Sequence, residues 1–169
     1  IGVTEWTLSN GVRVIVKPTD FEADAVSITG SSPGGLAIAS AKQFPDARFA
    51  DDIGRVGGGG ELDADALGKA LAGKQVGSSA SIDDTTEGVD ASGSARALET
   101  LLQLIHLRMT APRKDDQAIG VWKTNLSEQL TNRLRVPEAQ FFLQSQAVLW
   151  RGNPRRKPPE AVDVERGDP

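Results

Sequence analysis

The sequence predicts an α+β protein, a mainly antiparallel sheet with helices packed on one face. Three observations predict it. Strand-type segments come first, short helices follow, two more strands come next, and the C-terminal third is helical. The strand segments are short, apolar or alternating, and bounded by Gly, Pro, Asn and Asp. The helical segments place apolar residues three and four apart.

The elements follow in order. Trp6-Thr7-Leu8-Ser9 and Val12-Arg13-Val14-Ile15-Val16 flank Asn10-Gly11, the dipeptide of a type I′ hairpin turn, in which both central residues need positive φ. Pro18 ends the second strand, and Ala25 to Gly30 alternates as a third. Ser31 to Gly35 should be a loop, broken by Pro33-Gly34-Gly35. A first helix is expected over Pro45–Val56, with Phe49, Ile53 and Val56 on its buried face and Gly57 as its stop. Asp63 caps a second helix, which buries Leu67, Ala70 and Leu71 and ends at Gly73. Gln75–Ile82 and Glu87–Ser92 form a strand pair. A third helix, Ser94 to Met109, carries Leu98, Leu101, Leu102, Ile105 and Met109. A long helix from Asp115 to Leu134 aligns Ile119, Trp122, Leu126, Leu130 and Leu134, and a last one opens at Pro137 with Phe141, Phe142, Val148 and Leu149.

Size and composition fit one domain at residues 1–150 followed by a charged, Pro-rich tail or linker at 151–169. A net charge of −4 gives no electrostatic footprint for nucleic acid. The chain has no cysteine, which removes disulfides and thiolate metal sites. It has no apolar run near membrane-spanning length, so no membrane partner is expected. The N-terminus already has strand character rather than the layout of a secretory signal, so the chain is expected to be a piece of something longer.

Few residues could carry chemistry. His106 is the only histidine, whereas a catalytic zinc takes three protein ligands. It falls mid-helix, off the leucine stripe, as a partly exposed residue would. No serine sits in a G-x-S-x-G elbow. The acidic groups Asp51-Asp52, Glu61/Asp63/Asp65 and Asp83-Asp84 do not follow the EF-hand spacing and read as solvated helix ends and turns. Gly57-Gly58-Gly59-Gly60 follows a helix and precedes Glu61-Leu62, which is neither a Walker loop nor a dinucleotide fingerprint. It reads as a hinge or helix stop, with a loop touching an extended peptide as the other reading. Arg151, Arg155, Arg156 and Lys157 lie among prolines and read as a solvated linker.

Several stretches, in order, resemble the insulinase/pitrilysin family of zinc peptidases. They are Trp6-Thr7-Leu8-Ser9-Asn10-Gly11-Val12-Arg13-Val14, Lys17-Pro18-Thr19-Asp20-Phe21, Gly30-Ser31-Ser32-Pro33-Gly34-Gly35, Ala47-Arg48-Phe49-Ala50-Asp51-Asp52-Ile53, Leu71-Ala72-Gly73-Lys74, Thr110-Ala111-Pro112-Arg113 and Asn153-Pro154-Arg155-Arg156. The resemblance implies a metallopeptidase-like α+β domain, here truncated, from a protein whose two halves close around an unfolded peptide. It implies an H-x-x-E-H helix in the active half, whose histidines and a distant glutamate hold zinc while the motif's glutamate activates water. In this chain the corresponding helix reads PDARFADDIG, and Glu128 stands where a downstream ligand would be sought, without histidine partners.

No catalytic or metal-binding role therefore carries over to any position. The expectation is a non-catalytic domain from the C-terminal half of a bacterial member, inactive alone and without a cofactor of its own. Zinc is expected in the catalytic half, and that half and the unfolded peptide are the expected partners. Ser31, Ser32, Gly34 and Gly35, and Gly57, Gly58, Gly59 and Gly60, are the expected contact loops. The resemblance also implies a periplasmic or otherwise extracytoplasmic location. The rival expectations are an inactive homologue serving as a scaffold or interaction subunit, and an enzyme built on the Asp clusters.

Overall fold

The computed structural model describes residues 2–167. Its strands are β1 (Thr4–Thr7), β2 (Arg13–Val16), β3 (Ala25–Pro33), β4 (Val76–Ile82) and β5 (Thr86–Ser94). Its helices are α1 (Phe44–Ala47), α2 (Ala50–Val56), α3 (Ala64–Ala70), α4 (Leu98–Thr110), α5 (Asp116–Arg133), α6 (Pro137–Leu149) and α7 (Ala161–Arg166). All strand pairs are antiparallel, which gives the expected α+β class. The strands form two sheets, a hairpin β1–β2 and a three-stranded sheet in the order β3-β5-β4.

The hairpin forms where Asn10-Gly11 places it, with Thr7 opposite Arg13. The turn is not type I′. Only Gly11 has positive φ, at 87°, while Ser9 and Asn10 do not. The Gly11 amide donates to the Leu8 carbonyl at 2.9 Å and the Leu8 amide to the Val12 carbonyl at 2.8 Å. This is a three-residue loop whose last residue is left-handed. The Asn10 side-chain oxygen accepts from the Val12 amide at 3.2 Å and holds Asn10 out of the left-handed region.

In the larger sheet, β3 runs on to Pro33, so Ser31 and Ser32 are strand residues opposite Gly88 and Glu87. Gly35 then turns at φ +70°, where an added Cβ would lie 2.3 Å from the Asp83 carbonyl oxygen. Leu36 and Ala37 amides donate to the Asp83 and Asp84 carbonyls, which fastens the chain after β3 to the β4–β5 turn. Helix α4 packs on β4 and β5, and α2 packs on β4. The Arg108 side chain donates to Ser78 Oγ at 2.9 Å, tying α4 to the sheet.

The helix expected over Pro45–Val56 breaks in two. Phe44 and Phe49 are both buried, and the Arg48 guanidinium lies 5.6 Å from the centre of each ring. Phe49 leaves helical geometry at φ −114°, ψ 3°. Keeping both rings and their shared cation in contact takes precedence over one continuous helix. Phe49 meets Trp122 edge-on, with ring centres 5.5 Å apart. Around it a core of Phe49, Leu130 and Val164 is flanked by Trp122, Leu126 and Ala161.

Val164 belongs to the stretch expected as an extended tail. That stretch instead packs along the body. Arg155 donates to the Leu36 and Ala39 carbonyls at 2.8 and 2.5 Å, with its guanidinium 4.9 Å from the Phe44 ring centre. Arg48 donates to the Lys157 carbonyl, Arg133 to that of Pro159 and Lys123 to that of Gly167. Glu160 and Asp163 form a reciprocal capping box that starts α7. Val164 is 1% exposed, so a single valine anchors a segment that looks too polar to fold. The last two residues of that tail, Asp168 and Pro169, lie outside the described residues.

Helix α5 follows its expected stripe, with Ile119 and Leu130 buried and Trp122 and Leu126 against the core, though Leu134 is exposed. Helix α4 buries Leu101 and half-buries Ile105 as expected, but it also buries Leu104 and turns Leu98, Leu102 and Met109 outward. In α3 the stripe is likewise narrower than expected, with Leu67 buried and Ala70 exposed. No residue of α6 is buried.

Candidate functional site

The expected contact loops meet different fates. Gly57, Gly58 and Gly59 are buried, which leaves Gly60, half-buried, as the part of the tetraglycine run that reaches the surface. The run is a packing joint. Gly57 has an ordinary φ of −78°, yet an added Cβ would lie 1.8 Å from the Arg113 carbonyl oxygen. The same addition at Gly59 would lie 2.9 Å from a Leu107 methyl. Gly60 donates its amide to the Ala111 carbonyl at 2.8 Å. The glycines let the chain between α2 and α3 lie flush against the end of α4. At the other loop, Ser31 and Ser32 are exposed on the edge strand β3 and Gly34 is half-buried, whereas Gly35 is buried.

His106 is exposed on α4. Asp63 and Asp115 cap helices, accepting from the Ala66 and Ala118 amides at 2.7 and 2.9 Å. Asp84 pairs with Arg156, whose guanidinium also lies over Trp150. Lys157 pairs with Glu160 at 3.1 Å. Arg155, Arg156 and Lys157 are thus paired within the chain, although Arg156 and Lys157 stay exposed.

Sequence reading missed an open cleft of about 800 Å³ between α2, α3 and α5. Its lining includes Val56, Val121, Trp122 and Leu126 together with Asp52, Asp63, Asp65 and Asp115, with Arg55 at one side. Asp52 pairs with Arg55. Burial pushes the Asp52 carboxyl above the ordinary carboxylate range, with Arg55 pulling down and Asp51 pushing up. Burial also lowers Arg108, and Arg55 adds to that lowering. No local pattern marks this cleft, because its lining comes from three elements between Asp52 and Gln129.

The donor set does not suit zinc. A catalytic zinc site draws on histidine nitrogens and carboxylates converging from nearby elements. Here the one histidine stands apart, α2 presents Asp51 and Asp52 alone, and among the described residues no three His, Cys, Asp or Glu side chains cluster to hold a metal ion.

No family model matches the chain. A 37-residue stretch is 60% identical to a zinc protease PQQL-like protein of Arabidopsis thaliana, and covers 22% of this chain and 4% of that protein. The ferredoxin protease FusC, solved in complex with Arabidopsis ferredoxin, matches with a TM-score of 0.79 at 20% identity, over 99% of this chain and 18% of FusC. The periplasmic protease PqqL from Escherichia coli matches at 0.78 and 23% identity, over 98% of this chain and 18% of PqqL. A peptidase M16 inactive domain from Pseudomonas fluorescens matches at 0.79 and 12% identity, over 99% of this chain and 41% of that one. The chain therefore spans under a fifth of FusC and PqqL and about two fifths of the inactive domain. It has the fold of an M16 peptidase domain, and with that fold and the short PQQL-like match it resembles the insulinase/pitrilysin family of zinc peptidases.

Proposed function

We propose that this chain is a non-catalytic domain of a zinc-dependent endopeptidase, forming part of the wall of a peptide chamber and packing against a catalytic half that carries the zinc. One observation carries the reading: an M16 peptidase fold in a chain whose only histidine, His106, is exposed on α4, far along the sequence from the helix that would hold H-x-x-E-H. The reaction itself belongs to the catalytic half. This chain supplies surface, and the exposed β3 edge at Ser31 and Ser32 with the adjacent Gly34 is the part retained for substrate or partner contact. The buried glycines Gly57, Gly58 and Gly59 are not. A periplasmic setting is supported by PqqL, which is a periplasmic protease, and no helix among the described residues is long and apolar enough to cross a membrane.

The test is zinc content by elemental analysis of the purified chain, together with cleavage of an unfolded peptide, alone and after adding the H-x-x-E-H half. The expected result is no zinc and no cleavage alone, with a stable pair and turnover on mixing. Stoichiometric zinc in the chain alone overturns the reading. A stable pair without turnover moves the chain to the class of inactive scaffold subunits.

A further inference from the structure

We propose that the cleft between α2, α3 and α5 binds an extended polypeptide segment through an arginine or lysine side chain set beside an apolar one. The cleft floor is apolar and reachable, with Val56, Trp122 and Leu126 half-buried and Val121 57% exposed. An aliphatic side chain laid there would remove apolar surface on both partners from water. The charged part of the lining is one-sided, with Asp52, Asp63, Asp65 and Asp115 against Arg55. Arg55, Lys69 and Arg113 offset three of these, pairing with Asp52, Asp65 and Asp115 respectively, the last at 3.7 Å. Among the described residues the Asp63 side chain has only the Ala66 amide, and Asp51 and Asp116 stand beside the lining carboxylates in sequence.

Trp122, half-buried in the same lining, is an aromatic of the kind that favours a cation over a neutral polar group. An indole face holds a guanidinium or ammonium ion through its quadrupole, and a carboxylate nearby completes that recognition. An anionic partner such as nucleic acid or a phosphate-rich surface would meet repulsion here. The chain's own basic segment cannot fill the cleft, because Arg155, Arg156 and Lys157 are engaged with Leu36, Ala39, Asp84, Trp150 and Glu160. The inference stands on the cleft alone and does not require a catalytic half, so its failure and that of the proposed function are separately visible.

The probes are three short, labelled, unfolded peptides, one alternating lysine with leucine, one with glutamate in place of lysine, and one with serine in place of leucine. Fluorescence anisotropy with the full chain reads their affinity, and circular dichroism confirms that each variant keeps its fold. Val121→Lys and Gln129→Lys place a cation in the cleft from exposed positions on α5. Gln103→Lys makes the same charge change at an exposed site on α4 outside the lining. The lysine–leucine peptide is expected to bind about tenfold or more tightly than either other peptide. It is expected to lose about that factor with either cleft variant and little with Gln103→Lys. Equal binding of all three peptides, no binding of any, or equal loss with Gln103→Lys overturns the proposal, as does a peptide-independent dimer that the cleft variants dissolve.

Discussion

Helices α4 and α6 are each thirteen residues long, and they meet opposite fates. Helix α4 lies on β4 and β5 with Leu101 fully buried and Leu104 at 4% exposure. Helix α6 is as apolar in sequence, yet Phe141, Phe142, Val148 and Leu149 all face outward. Apolar residues at helical spacing are enough to form either helix, but only a neighbouring surface turns a stripe into a core. The β1–β2 hairpin sides with α6, since its turn chemistry closes it while Trp6, Ile15 and Val16 stay exposed.

The sharpest way to break this comparison is to cut one large apolar side chain from each helix. Leu101→Ala removes a fully buried side chain and should cost about 3–5 kcal/mol, from the lost transfer energy and the cavity left behind. Phe141→Ala, at 74% exposure, should change stability by no more than about 0.5 kcal/mol. Urea unfolding of both variants decides it. A large loss at Phe141 would mean that α6 is covered in solution, by a second copy or by a neighbouring segment.

The glycines near the two helices extend the contrast. Gly57 packs against the Arg113 carbonyl in the link between α4 and α5 and has ordinary φ, so its lack of a side chain serves close approach alone. Gly57→Ala should destabilise by about 3 kcal/mol or more, the upper end of overpacking, because the opposing atom is a backbone carbonyl that cannot swing away. Gly152, just after α6, has φ +71° and open space around it. Gly152→Ala should cost only the strain of a left-handed residue, about 1–2 kcal/mol. Equal costs in denaturant melts would place the constraint at Gly57 in the backbone rather than in packing.

What was legible in the sequence was local. The Asn10-Gly11 hairpin, the Asp63 cap and most of the α5 stripe depend on residues within a few positions of one another, and the structure contains them. The order of strands and helices was enough to give the class. What was hidden depends on distant partners. The break before α2 needs Arg48 between two phenylalanines, and the folding of residues after Arg151 needs one valine, Val164, to find Phe49 and Leu130. The phase of α4 was read only in part, at Leu101, because two leucine stripes coexist, and only the sheet beneath adds Leu104 and leaves out Leu98 and Leu102. The cleft was invisible for the same reason, its walls being brought together by tertiary packing. The resemblance in sequence carried further than periodicity did, since it needed no side-chain burial to be read.

The smallest expected effect concerns a charge on α2, which packs against β4 and α5. Burial raises the Asp52 pKa more than Arg55 lowers it, so the folded chain holds that proton to higher pH than the unfolded chain does. Between the ordinary carboxylate pKa and the raised one, the native state therefore binds more protons than the unfolded state, and stability falls as pH rises through that window. Asp52→Asn should flatten this slope and leave the chain slightly more stable at neutral pH. The change should stay below about 1 kcal/mol, because the side chain is still 32% exposed and water screens it. Urea midpoints of both proteins, taken at steps between about pH 4 and 7, give the slope directly. If the native protein instead gains stability over the variant as pH rises, the ion pair with Arg55 outweighs desolvation, and this half of the molecule handles its charges as an exposed surface does.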